Sequence, residues 1–404
     1  MQAREFDIIL MGATGFTGQL VARYLAENHP KRKLALAGRN ADKLADVRSQ
    51  AKLPDATPLL VVDSFDAPAL ETMAQRTRVV CTTVGPYGVY GTELVRACVK
   101  HGTAYCDLTG EIPWIRSLID TMHEDAMQSG ARIVNCAGFD SVPSDVGCYV
   151  LAQQFVAQGK QLAHAHMRLV RLRGGISGGT IASGIQLAEQ SNDNTVRRLL
   201  ADPHALCPND DLPRIASDIY RPRYNRDTGH FEMYFFMNAT NSRIVHRTNA
   251  LLNYPYGRAF TYDEVVQTGR GAKGAFIAGL GTAGLSLAAV FMRIGLSRRL
   301  LARYVLPKPG EGPSQERQRH GEFVAVFDGT ATDGSKSQAH VSLDRDPGYN
   351  GTALMLSETA VCLSETNGPG GILTPISALG NALVTRLRNA GMRIYDLSKR
   401  KQAT

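Results

Sequence analysis

Three glycines spaced G-x-x-G-x-x-G, in Gly12-Ala13-Thr14-Gly15-Phe16-Thr17-Gly18, follow the apolar run Phe6-Asp7-Ile8-Ile9-Leu10 and open a helix-like stretch from Gln19 to Glu27. A strand that stops at such a turn and restarts as a helix gathers backbone N–H groups and a positive helix end at one spot, which suits a pyrophosphate. The spacing departs from the G-x-G-x-x-G fingerprint, so the reading of a dinucleotide site rests on context. An NAD site keeps an acidic side chain for the ribose 2′-hydroxyl about 20 residues downstream. Here the chain reads Leu36-Ala37-Gly38-Arg39-Asn40, with Lys43 beyond. An arginine at that point pairs with a 2′-phosphate, so NADP(H) is expected over NAD(H). The plainer alternative is a solvated arginine in a Rossmann domain that binds NAD or nothing.

Other candidates fall at the ends of the next strand-like runs. Asp63 can accept from an adenine amino group or cap the helix that follows. Thr83, Gly85 and Pro86, in Cys81-Thr82-Thr83-Val84-Gly85-Pro86-Tyr87-Gly88, are expected to line the nicotinamide half of the cofactor, because ligands of open parallel sheets sit outside the carboxyl ends of central strands. Tyr87 and Tyr90 then face the reacting carbon, with Tyr87 the expected proton donor, or they pack in the turn. Asp107, Glu111 and Asp140 also end strands, where they divide acid and base work or tie loops together. His164 and His166 alternate within a strand-like run, and two histidines without a third ligand do not argue for a metal.

The elements that position these groups read as an α/β protein. Residues 1–157 alternate strands near 6–11, 33–38, 58–63, 78–84, 104–107 and 131–137 with helices, a doubly wound NADP-binding Rossmann domain expected to be completed by C-terminal helices within 352–404. Residues 158–351 read as an α+β substrate and dimerisation domain with a mainly antiparallel sheet, including a hairpin at Thr332-Asp333-Gly334-Ser335. Gly174-Gly175-Ile176-Ser177-Gly178-Gly179-Thr180 is a second candidate anion turn, or simply a connection into a helix.

At 404 residues, 44% hydrophobic and 20% charged, the chain has the balance of a globular protein of two domains. Its net charge of +8 favours anionic partners. No basic stripe interleaved with aromatics and no RNP or zinc-finger motif points to nucleic acid. The 7 cysteines form no C-x-x-C pair and fit reduced thiols, so a cytoplasmic protein is expected. An apolar insertion at about 271–306 qualifies this. Gly274 to Met292 carries no charge, and Phe276, Leu280, Leu287 and Phe291 recur at helical spacing between flanking Arg270, Lys273, Arg293, Arg298 and Arg299. A helix lying on a membrane surface or an acyl chain, peripheral at the cytoplasmic membrane, fits better than a span. A buried hairpin or a dimer contact is the alternative.

Several stretches together resemble the saccharopine dehydrogenase-like oxidoreductases, in particular the trans-acting enoyl reductase branch. They are Gly12 to Gly18, Ala37-Gly38-Arg39, Val84-Gly85-Pro86-Tyr87, Asp107-Leu108-Thr109-Gly110-Glu111, Gly138-Phe139-Asp140-Ser141-Val142-Pro143-Ser144-Asp145, Ser177-Gly178-Gly179-Thr180, Pro309 to Ser314, and Gly370-Gly371-Ile372-Leu373-Thr374-Pro375. The resemblance implies an NADP-linked oxidoreductase of lipid metabolism, an enoyl reductase whose substrate is an unsaturated acyl chain, carried in mycobacterial members on a polyketide synthase. It supplies no placed catalytic acid. A homodimer is expected. The alternatives are a non-catalytic NADP-binding protein of the membrane surface and a saccharopine-type dehydrogenase of a soluble amino acid.

Overall fold

Runs such as Ile8-Ile9-Leu10-Met11 and Leu34-Ala35-Leu36-Ala37 are buried at every position. That pattern belongs to a parallel sheet covered by helices on both faces. In the computed structural model, which describes residues 4–174, 190–191, 193–208, 212–213, 221–293 and 321–397, they form its centre. Strands β1 (Phe6–Met11), β2 (Leu34–Gly38), β3 (Leu59–Val61), β4 (Thr77–Thr82), β5 (Ala104–Cys106) and β6 (Arg132–Val134) alternate with α1 (Phe16–Asn28), α2 (Ala41–Gln50), α3 (Ala67–Gln75), α4 (Tyr87–Tyr90), α5 (Thr92–Lys100) and α6 (Ile112–Ser129). With β13 (Gly371–Leu373) at the edge, the order is β13-β6-β5-β4-β1-β2-β3, all parallel. The strand order reverses at β1, which places the ligand crevice at the carboxyl ends of β1 and β4.

Local signals explain the boundaries. Asn40 accepts from the Lys43 amide to start α2, and Asp66 accepts from the Ala69 amide to start α3. Gly130, at φ 75°, ends α6 in the left-handed conformation.

The second sheet contains β7 (Leu162–Arg173), β8 (Arg223–Asn225), β9 (His230–Tyr234), β10 (Thr261–Gly269), β11 (Glu322–Ala331), β12 (Lys336–Leu343) and β14 (Arg393–Asp396). Their order is β14-β12-β11-β7-β10-β9-β8, antiparallel throughout except for the β7–β10 pair. Helix α7 (Val142–Val156) packs on this sheet, and a Cβ on Gly147 would lie 2.2 Å from the Phe327 ring. Glycine is the residue that lets helix and strand approach so closely.

The C-terminal segment divides between the sheets, where the sequence pattern suggests a return to the first alone. Helix α11 (Thr352–Glu365) is buried along nearly its whole length over the first sheet, and β13 extends that sheet. Beyond α12 (Pro375–Asn389), β14 pairs instead with β12, with Ile394 buried. Four residues of alternating character at a chain end are too short to read as a strand from pattern alone. Of the Gly174 to Thr180 turn, all but Gly174 lies outside the described residues.

Between the sheets runs α9 (Asn238–Leu251), in which Asn241, Ser242, Arg243, Arg247, Thr248 and Asn249 are all buried. Such a helix is tolerated where its polar groups find partners. Arg243 donates to the Leu200 carbonyl in α8 (Asn194–Ala201), and Arg247 donates to the carbonyls of Leu206 and Ile372. Thr248 donates to Asp145, and the Asn241 amide donates to Glu264, which also accepts from Ser144 and Tyr262.

Burial lifts both Asp145 and Glu264 to about 7 despite these hydrogen bonds. A carboxyl raised in the folded state stabilises it fully below its unfolded pKa, near about 4, and that contribution is lost as pH rises through the folded value. The thermal midpoint is therefore expected to fall as pH rises from about 4 to about 7. The Asp145→Asn/Glu264→Gln double variant should show a shallower fall by calorimetry, and an unchanged slope would contradict this assignment.

Candidate functional site

The glycine turn is built by close backbone approach. Gly12 sits at φ +83°, and a Cβ there would lie 2.6 Å from Val84 Cγ2. At Gly18 a Cβ would lie 2.2 Å from the Gly12 carbonyl oxygen, so the first turn of α1 rests directly on the turn that precedes it. Gly15 is different. It is exposed, its nearest neighbour to a Cβ would be an ordinary 3.4 Å away, and it is the residue from which α1 begins. From the next strand end, Thr83 donates its hydroxyl to the Gly12 carbonyl at 3.1 Å. Ala13 is buried, while Thr14, Phe16 and Thr17 are half-buried around the turn.

Arg39, Asn40 and Lys43 are exposed where β2 ends. Asn40 spends its side-chain oxygen on the helix cap, whereas the Arg39 guanidinium has no hydrogen-bond or ion-pair partner among the described residues. Asp63 is exposed at the end of β3 and accepts from the Phe65 amide, which ties its turn together. Gly85 is exposed and Pro86 half-buried beyond β4, joined by a cis peptide bond.

Tyr87 does not present its hydroxyl to this edge as a proton donor would. Its side chain is 4% exposed, stacks on Trp114 at 5.8 Å, donates to the Thr82 carbonyl at 3.4 Å and accepts from the Leu108 amide at 3.2 Å. Burial, reinforced by the charge of Asp107, holds its pKa well above the usual phenol range. At the start of α4 the ring of Tyr87 turns inward onto Trp114, a tertiary contact, while Tyr90 packs on the exposed Phe65 at 5.5 Å.

The three carboxylates separate by role. Asp107 is fully buried and accepts from the Thr109 and Cys136 amides, the Tyr105 hydroxyl and the Asn135 side chain. Burial raises it to about 6 against those donors. Glu111 accepts from the Tyr87 and Gly88 amides at 2.9 and 2.8 Å, fixing the loop after β4. Asp140 is half-buried, without a hydrogen-bond partner among the described residues, and burial alone raises it to about 6. Its neighbours pin it between the two sheets. Phe139 packs edge-on against Phe323 at 4.9 Å and its amide donates to Thr352, while Ser141 donates to Asn241 at 2.9 Å. Thr240 donates to the Gly110 carbonyl, and Phe16 meets Tyr349 at 4.9 Å, so the second sheet and its helices close over the strand ends of the first.

This contribution of α9 is not visible in the sequence pattern, because a run such as Asn238-Ala239-Thr240-Asn241-Ser242-Arg243 reads as a solvated surface. His164 and His166 lie elsewhere, in a polar cavity of about 560 Å³ on the second sheet that is also lined by Arg223, Glu232, Asp328 and Lys336. Burial works against the charge on His166, yet Asp263 and Glu232 hold its pKa above the usual value. Those contacts occupy its ring nitrogens. The described residues bring together no group of three His, Cys, Asp or Glu placed to hold a metal.

Residues 8–134 match the family profile described as the saccharopine dehydrogenase NADP binding domain. Over 411 residues the chain is 38% identical to the trans-acting enoyl reductase of Mycobacterium tuberculosis, covering 96% of this chain and 97% of that protein. It is 38% identical over 417 residues to the trans-acting enoyl reductase of Mycobacterium leprae, covering 97% of each. Among solved structures, apo saccharopine dehydrogenase (L-Glu forming) from Saccharomyces cerevisiae superposes with a TM-score of 0.55 at 13% identity, covering 97% of this chain and 100% of that one, a likeness of fold.

The residues present fit a dinucleotide. The turn that a Cβ at Gly12 or Gly18 would fill is free of acidic side chains, and Gly15 leaves the start of α1 open to an approaching phosphate. Gly15→Ala is therefore expected to keep the thermal midpoint within a few degrees while weakening cofactor binding at least about tenfold, since the added methyl stands where the phosphate must approach. Unchanged affinity by titration calorimetry would move the phosphate away from this turn.

Proposed function

Because the chain belongs to the trans-acting enoyl reductase family of NADP-binding oxidoreductases, we propose that it reduces the C=C bond of an α,β-unsaturated acyl thioester at the expense of NADPH, on a lipid-like or carrier-bound chain. The observation that carries the reading is the match to enoyl reductases over nearly the full length of both chains. Gly12 to Gly18 would hold the pyrophosphate at the start of α1. Arg39 and Lys43 would hold the 2′-phosphate, with Asp63 at the adenine end and Thr83, Gly85 and Pro86 beside the nicotinamide. When bound, the reduced nicotinamide supplies a hydride for the β-carbon.

The chain's own residues have two further tasks. One is to orient the acyl group between the two sheets, where fixed placement converts an encounter into a positioned reaction. The other is to deliver a proton to the α-carbon as the C=C electron pair collects there. Asp140 is our assignment for that proton. Its carboxyl has no hydrogen-bond partner among the described residues, and its burial raises the share of the protonated form near neutral pH. After transfer the carboxylate regains a proton from water. Tyr87, whose hydroxyl already serves two backbone groups, holds the loop after β4 in place.

Two measurements check these assignments. Arg39→Asp should weaken NADPH relative to NADH by roughly tenfold or more, about 1.5–3 kcal/mol, since it removes a charge-assisted contact. An unchanged preference ratio would exclude Arg39 as the selector. Asp140→Asn should lower kcat by about 10²- to 10⁴-fold, the usual contribution of a positioned acid, while Tyr87→Phe retains most of it. In the parent protein kcat should decline as pH rises through about 6, because the protonated carboxyl is the active form. If Tyr87→Phe is the variant that loses turnover and Asp140→Asn keeps the parent pH profile, the proton comes from Tyr87.

A further inference from the structure

Helix α10 (Gly271–Arg293) has two unlike faces. On one side Ala278 and Thr282 are buried, and a Cβ on Gly281 would lie 2.5 Å from Met233 Sδ. These small residues seat the helix on β9 and β10. The opposite side carries Phe276, Leu280 and Leu287 at 69%, 62% and 57% exposure, with Ile277 and Val290 also exposed. At about 100° per residue, the five fall within an arc of roughly 140°, a single continuous stripe. A row of large exposed apolar side chains marks an interaction surface.

We propose that this stripe docks on an anionic lipid bilayer, with α10 lying in the plane of the interface. Charge decides the occupant. From Gly271 to Met292 there is no acidic residue, and Lys273 is the one charged side chain. Lys273 falls inside the same arc, so its stem runs with the apolar side chains and its ammonium reaches the level of lipid phosphates. Arg270, one position before the helix, adds a second exposed cation at that end. A second copy of the chain would offer the same cationic, carboxylate-free stripe and no countercharge, whereas an anionic headgroup layer supplies both countercharge and an apolar interior. No described helix is long and apolar enough to cross a membrane, which leaves the flat orientation. The inference stands on α10 alone and does not depend on the reductase reading.

Sedimentation of the full chain with phosphatidylcholine vesicles, with and without phosphatidylglycerol, tests it. Binding should be at least about tenfold stronger to the vesicles containing phosphatidylglycerol and should weaken as salt is raised. Phe276→Glu/Leu280→Glu should reduce that binding at least about tenfold with an unchanged thermal midpoint and unchanged NADPH affinity, because both side chains point away from the protein. Lys273→Glu should reduce the preference for anionic vesicles. The proposal is overturned if the parent chain stays in solution, or if the Glu variants bind as it does. It is also overturned if the parent is a dimer that ignores vesicles and Phe276→Glu/Leu280→Glu makes it monomeric, which would assign the stripe to a second copy.

Discussion

The contact between the carbonyl of Gly12 and the Cα of Gly18 sets the geometry of the N-terminal half. With no side chain at either position, α1 begins directly on the turn that leaves β1, with Gly15 as its N-cap. The hydroxyl of Thr83 clamps the same carbonyl from the end of β4. Parallel pairing then distributes the remaining groups by register. Met11 faces Ala37, which brings Arg39 to the flank of the turn, and the loops after β5 and β6 end alongside. A methyl group at Gly18 would push the helix off the turn and disperse the donors together.

Two buried polar assemblies hold the loops beside this crevice in place. Asp107 collects four donors from two separate stretches of chain, which ties the loops after β5 and β6 together. Helix α9 brings Thr240 and Asn241 to the Gly110 and Ser141 loops. Burying so many polar groups costs stability unless every one is matched, and at Asp145 and Glu264 burial outweighs the hydrogen bonds and disfavours the ionised form. What the arrangement gains is a fixed orientation between the two sheets. Asp140, unlike Asp107 and Glu111, has no hydrogen-bond donor among the described residues.

Much of this was legible in the sequence, for physical reasons that differ by element. Strands buried on both faces are nearly uninterrupted apolar runs, so β1, β2 and β4 can be located to within a few residues, and glycine spacing with a basic residue after β2 points to a phosphorylated dinucleotide. The inward rotation of Tyr87 depends on Trp114, 27 residues away, and no local pattern encodes it. The buried polar face of α9 and the short strand β14 were equally hidden, because tertiary partners rather than periodicity determine them. Among Asp107, Glu111 and Asp140, residue type is nearly the same, and only the hydrogen-bond inventory separates the two that tie loops together from Asp140.

Titration calorimetry of the purified chain with NADPH tests the central claim most directly, since a glycine cradle and an exposed guanidinium at the end of β2 require no partner or substrate to bind it. The account predicts heat corresponding to one NADPH per chain, competed by 2′-phosphorylated adenosine nucleotides and not by their unphosphorylated counterparts. Well-folded protein that takes up no NADPH, or that fails to distinguish the two competitors, would contradict it.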